Sequence, residues 1–120
     1  MTTVHLPFPP SVNGLYANIS GKGRVKTMRY REWANAAGWD VKAQKPAKIT
    51  GRYAITLTVQ RKDNRRRDLS NLIKAVSDLL VDQQVIEDDS LEEEVHLYWS
   101  RAVEGCVVEI VAIDQRRAAA

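Results

Sequence analysis

The chain has 120 residues, 44% of them hydrophobic and 28% charged, with a net charge of +3. This suits one compact domain with a modest core, and no apolar run approaches the roughly 18 residues that a membrane helix needs. The start, MTTVHLPFPP, lacks the basic and apolar blocks of a secretory signal, and the single cysteine, Cys106, has no disulfide partner and no Cys or His at zinc-ligand spacing, so a cytoplasmic setting with a buried, inert thiol is expected.

Thr3 to Leu6 predicts a short strand, stopped by Pro7, Pro9 and Pro10, which lack the amide a ladder needs. Residues 11–26 read as a loop, with Asn13-Gly14, Gly21 and Gly23 as turn residues and Lys22, Arg24 and Lys26 as its cations. Thr27 can cap a helix that runs to about Gln44. Tyr30, Trp33, Ala37 and Val41 fall on one face of it at helical spacing. Trp39 falls on the opposite face, where it needs cover from a partner subunit, from DNA or from a loop of its own chain.

Tyr53, Ile55, Leu57 and Val59 alternate with Ala54, Thr56, Thr58 and Gln60, the period of a strand. After the run Arg61 to Arg67, a second helix is expected from about Ser70, its N-cap, to Asp82. Leu69, Leu72, Ile73, Val76, Leu79 and Leu80 form its apolar stripe, with Asn71, Lys74 and Asp78 on the other side. Val85 and Ile86 lead into Glu87-Asp88-Asp89. Glu92, Glu93 and Glu94 read as solvated residues before a strand at Val95, Leu97 and Trp99. Val103-Glu104-Gly105 reads as a hairpin turn into a last strand, Cys106 to Ile113. The order is β-α-β-α-β-β. It predicts a two-layer α/β (α+β) fold over residues 1–120, a mixed four-stranded sheet with two main helices, and residues 114–120 as a frayed tail.

Charge is distributed unevenly. Residues 1–67 hold 14 Lys or Arg against 3 Asp or Glu, a net of +11, whereas residues 68–120 hold 4 against 12, a net of −8. A basic part suits a polyanion such as nucleic acid. Three features converge near the boundary: the basic run Arg61-Lys62-Asp63-Asn64-Arg65-Arg66-Arg67, then Asp68 at a helix entrance, then Glu87-Asp88-Asp89 after the helix that carries Lys74. Phosphodiester cleavage explains the combination. Carboxylates hold Mg²⁺, a hard cation that prefers oxygen. The metal lowers the pKa of water and offsets charge on the phosphate. A lysine stabilises the leaving oxygen, and arginines grip neighbouring phosphates. Each part has a plainer reading by itself: Asp68 as a dipole-stabilised carboxylate, Lys74 as the i,i+4 partner of Asp78, the triplet as a solvated turn, the arginines as a linker.

The stretch Arg65-Arg66-Arg67-Asp68-Leu69-Ser70-Asn71-Leu72-Ile73-Lys74-Ala75-Val76-Ser77-Asp78-Leu79-Leu80, with Asp88-Asp89 after it, closely resembles the central motif of the RusA family of Holliday junction resolvases. The opening Pro9-Pro10-Ser11-Val12-Asn13-Gly14-Leu15-Tyr16 looks like that family's Pro-Pro-Ser-x-Asn-x-x-Tyr. The resemblance implies a homodimer with two active sites that binds four-way DNA junctions by shape and nicks opposed strands. It also implies a need for Mg²⁺ or Mn²⁺, and genes often carried by phages and prophages. Carried over, Asp68 and Asp89 would be catalytic, metal-binding carboxylates, Asp88 an accessory metal ligand and Lys74 the catalytic lysine. Lys22, Arg24, Lys26, Arg61, Lys62, Arg65, Arg66, Arg67 and Asn71 are the candidate DNA contacts. One position departs from the pattern: Ser70 stands where the family has a second Asp. A serine is a weaker, neutral ligand that could act through its oxygen or a water. The departure keeps two alternatives open, a junction-binding module without catalysis and a general nuclease for branched DNA. An RNA-binding sheet is disfavoured, because the strands lack paired aromatic stacking positions.

Overall fold

The computed structural model describes residues 1–63 and 68–114. Six strands and two helices follow in the order β1 (Thr2–Leu6), β2 (Tyr16–Ile19), β3 (Gly23–Lys26), α1 (Met28–Gln44), β4 (Tyr53–Gln60), α2 (Ile73–Asp82), β5 (Glu92–Ser100) and β6 (Cys106–Ala112). Short 3-10 turns stand at Val12–Gly14, Leu69–Leu72 and Asp89–Leu91. The main sheet has the order β1-β6-β4-β5, with β4 and β5 parallel and the other pairs antiparallel. The expected α+β class with a mixed four-stranded sheet and two main helices is therefore observed.

Central strand β4 buries Tyr53, Ile55, Leu57 and Val59 completely, as its alternation predicts. Leu72, Val76, Leu79 and Leu80 of the second helical segment join the same core, while Leu69 and Ile73 pack at its margin. Helix α1 supplies Tyr30, Trp33, Ala37 and Val41. Its N-cap is Thr27, whose Oγ1 accepts from the Tyr30 amide at 3.2 Å and donates to the Gly14 carbonyl at 2.7 Å. One hydroxyl thus starts the helix and ties it to the preceding segment. Cys106 is buried, and burial pushes its thiol up to about 12, so it stays protonated and inert.

Four expectations change. Residues 11–26 hold an antiparallel hairpin, β2–β3, pairing Tyr16 with Lys26 and Ile19 with Gly23. Its strands are almost wholly exposed, so no alternation marks them, and Gly21 at φ 80° makes the turn. The second helical segment begins on Asp68 as cap of a 3-10 turn, with α2 proper starting at Ile73; Ser70 lies inside that turn. Strands β5 and β6 do not form a hairpin, because β4 lies between them. A parallel neighbour must be reached by a crossover, which α2 provides, and this leaves the other edge of β4 for β6. The link 101–105 therefore passes over the end of β4, where Gln60 N–H donates to the Gly105 carbonyl at 2.9 Å. Gly105 has φ 63° and lies so close to the Leu6 carbonyl that a Cβ would collide with it. The fourth change concerns Glu92, which is half-buried rather than solvated. Trp39 is 66% exposed with Lys42 Nζ 4.9 Å from its ring centre, which excludes cover by a loop among the described residues. No described helix is long and apolar enough to cross a membrane.

Candidate active site

The end of α2 and the turn after it bring the acidic residues to one cleft. A cavity of about 350 Å³ is lined by Asp78 and Asp82 from α2, Asp88 and Asp89 from the following turn, and Tyr16, Lys26 and Tyr30 from the hairpin and α1. Lys74 Nζ stands 3.0 Å from Asp78 Oδ1 and 3.9 Å from Asp89 Oδ2. The hydrogen bond that Lys74 donates to Asp78, with the charges of Asp78 and Asp89, raises the Lys74 pKa and keeps it a cation. Both the i,i+4 pair and the longer-range approach to Asp89 are present together. Asp88 caps the Asp89–Leu91 turn by accepting from the Ser90 amide at 3.0 Å, which holds its carboxyl below the usual carboxylate range. Glu87 is exposed and accepts from the Gly51 amide, while a parallel bridge between Ile49 and Ile86 fixes the chain just before it.

Asp68 lies in a second cleft of about 280 Å³, with Asn71, Ser11, Asn13 and Arg29. Its Oδ1 accepts from the Ser70 amide at 3.1 Å and from Ser70 Oγ at 2.6 Å. The serine therefore donates to the carboxylate, where an aspartate would have repelled it. Ser11 and Asn13 of the opening motif face Asp68 across this cleft, so two segments 55 residues apart in sequence share one site.

Of the candidate DNA contacts, Lys22, Arg24, Lys26 and Lys62 are exposed and Arg61 is half-buried; Arg65, Arg66 and Arg67 lie outside the described residues. Arg24 stacks on Tyr16 at 4.2 Å from the ring centre, Arg61 on Trp99 at 5.1 Å and Lys62 on Phe8 at 4.1 Å. These contacts hold long cations over aromatic faces and pre-order them.

The sequence reading missed Tyr16, Tyr30 and Asp82 as cleft residues. Tyr30 carries a helical core signal, and only the packing of α1 beside α2 brings its hydroxyl to Asp78. Burial, then the charge of Asp78, pushes its phenol up to about 12, so it serves as a hydrogen-bond donor and not as a base.

Among the described residues, no three His, Cys, Asp or Glu side chains gather closely enough to cage a metal ion. The donors on offer are nevertheless hard oxygens: the exposed carboxylates of Asp68, Asp88 and Asp89 and the hydroxyl of Ser70. That chemistry fits Mg²⁺, which takes one or two protein carboxylates and fills its shell with water and substrate phosphate.

The family model of endodeoxyribonuclease RusA matches residues 7–111. The chain belongs to the RusA family. It is also 29% identical over 108 residues to a crossover junction endodeoxyribonuclease RusA of Aquifex aeolicus (strain VF5), an alignment that covers 88% of this chain and 84% of that one. The RusA match spans both clefts, from the Pro-Pro-Ser opening to the strands behind Asp89.

Proposed function

We propose that this protein is a Mg²⁺-dependent endonuclease that resolves four-way DNA junctions by paired nicks, working in the cytoplasm as a homodimer with one site per subunit. Asp68, Asp88 and Asp89 would hold the metal, for which Mn²⁺ can substitute, with Ser70 as an auxiliary oxygen. When bound, it supplies charge neutralisation at the scissile phosphate and activation of water. Lys74, kept protonated by Asp78 and Asp89, meets the charge that grows on the phosphate and the leaving oxygen. The basic hairpin residues Lys22, Arg24 and Lys26, together with Arg61, Lys62, Arg65, Arg66, Arg67 and Asn71, bind the flanking backbone. Phosphate contacts of this kind read junction shape and not base sequence. Exposed Trp39 offers a surface for the second subunit.

The observation that carries this reading is the approach of Lys74 to Asp89 at 3.9 Å, a cation from the first turn of α2 and a carboxylate from the turn that follows the helix, in a chain of an endodeoxyribonuclease family. The test is a nicking assay on a labelled mobile four-way junction in Mg²⁺, Mn²⁺ or EDTA. Symmetric nicks that need the metal and vanish in Asp89→Asn are expected. Full cleavage by Asp89→Asn, or cleavage in EDTA, would overturn it.

A second reading, junction binding without cleavage, draws on one observation. Ser70 occupies an Asp68 oxygen with its own hydroxyl and adds no negative charge. Tight junction binding with no nicks in either metal would select it.

A further inference from the structure

Behind the acidic turn, a carboxylate is drawn into the core without a counter-charge. Glu92 Oε1 accepts from Tyr53 Oη at 3.1 Å and from Ser77 Oγ at 3.2 Å. Tyr53 is completely buried and Ser77 is 4% exposed. The three residues come from β4, α2 and the first position of β5, so their bonds join the central strand, the helix of Lys74 and the end of the turn that carries Asp88 and Asp89.

A register shift puts Glu92 there. Along β5, Leu97 and Trp99 pair with Leu57 and Val59 and pack against the core, while Val95, opposite Ile55, is 42% exposed. Strict alternation would turn Glu92 the other way, with Glu94 and His96. Between Tyr53 and Ala54, however, the partners step from Glu92 to Glu94. Glu93 is the extra residue; it turns out to Arg52, with an ion pair at 2.9 Å. The bulge thereby re-aims Glu92 onto the core side. Bulges beside active sites serve this purpose, and they weaken a sheet that does not need them.

Burial raises the Glu92 pKa, and the donated bonds from Tyr53 and Ser77 only partly offset that. A leucine at this point would avoid the desolvation cost. The carboxylate has another consequence: it is the one polar link among the described residues that bonds α2 to the strand following the turn Asp89–Leu91.

We infer that Glu92 is a positioning residue, whose acceptor oxygen, shared by Tyr53 and Ser77, holds the Asp88-Asp89 turn in register with Lys74. The inference rests on the reading above that Lys74 and Asp89 form the reactive site. It depends on the oxygen as acceptor and not on the charge, because both contacts are donated to that one atom. Glu92→Gln keeps the acceptor, whereas Glu92→Leu removes it and strands two buried hydroxyls. Tyr53→Phe combined with Ser77→Ala removes both donors at almost constant volume.

The experiment measures single-turnover junction cleavage, junction Kd and, in metal-free protein, amide exchange at Ser90 and Leu91, whose N–H groups bond to Asp88. Asp89→Asn runs alongside. Glu92→Gln is expected to cleave within about threefold of the parent. Glu92→Leu and the double variant should cleave about 10- to 100-fold more slowly with Kd unchanged, since a small misplacement costs the chemical step and not the grip on DNA. Their Ser90 and Leu91 amides should exchange faster while those of β6 keep their protection. Three results would each overturn the inference: Glu92→Gln as slow as Glu92→Leu, Glu92→Leu as fast as the parent, or exchange that rises equally in β6. Should Asp89→Asn retain full cleavage, the site reading itself would fall, whatever Glu92 does. Exchange at Ser90 and Leu91 would still report on the anchoring.

Discussion

The two acidic flanks of the site are held in different ways. Asp88 and Asp89 stand on a turn fixed from behind by Glu92, Tyr53 and Ser77 and from the front by Lys74. Among the described residues, Asp68 is held by bonds within its own loop: it caps a 3-10 turn through Ser70, two residues on. One flank is set by the core and the other by local bonds. The metal-dependent cleavage proposed above can use both kinds. On that proposal, the flank tied into the core is the one expected to keep its geometry without substrate, and the locally bonded flank the one expected to adjust to the DNA backbone.

The sharpest way to break this comparison is Asp68→Asn. If both flanks contribute a carboxylate to the metal, this change should lower single-turnover cleavage by about 100-fold or more, with junction binding kept, as loss of one preorganised charged group at a reacting centre does. A rate near that of the parent would mean that Asp68 only caps its turn and that the core-set flank works alone.

A smaller effect is expected at Ser70. Ser70→Asp restores the family's carboxylate and removes the O–H that Asp68 now accepts. Metal affinity follows the number of charged ligands. The Mg²⁺ midpoint for cleavage should therefore fall by about three- to tenfold. An unchanged midpoint would place Ser70 outside the metal shell.

How far the sequence foretold this molecule depended on how local each signal was. The alternation from Tyr53 to Gln60, the apolar stripe from Leu72 to Leu80 and the Thr27 cap each concern neighbours within one element, and each appears as read. The β2–β3 hairpin escaped because a two-stranded ribbon lying in solvent needs no apolar face. The separation of β5 from β6 escaped because it depends on where α2 delivers the chain, a long-range choice. Lys74 and Asp89 were recognised through motif resemblance, and their approach to 3.9 Å could not be read from spacing. Glu92 was the hardest. It sits in a run of three glutamates, where solvation is the natural expectation, and only a bulge one residue long turns it inward. The arginines that first drew attention, Arg65 to Arg67, lie outside the described residues.

The smallest effect expected concerns that same glutamate and stability instead of rate. Burial raises the folded-state pKa of Glu92 above its unfolded value. The unfolded chain therefore releases this proton first as pH rises, and the group's contribution, fully present below the unfolded pKa, is lost as pH climbs through the folded one. At neutral pH the ionised form is a cost that the Tyr53 and Ser77 bonds only partly offset. Glu92→Gln keeps those bonds and removes the charge, so it should melt slightly higher than the parent at pH 7, by about 1–3 °C for a chain of this size. The gap should close below the carboxylate range, where the parent is protonated as well. A thermal melt series from pH 3 to 8 checks this. A variant that melts lower at pH 7 would show that the carboxylate charge is itself stabilised here, by a partner stronger than the two hydroxyls. The core-set flank would then be held by charge and not by a shared acceptor.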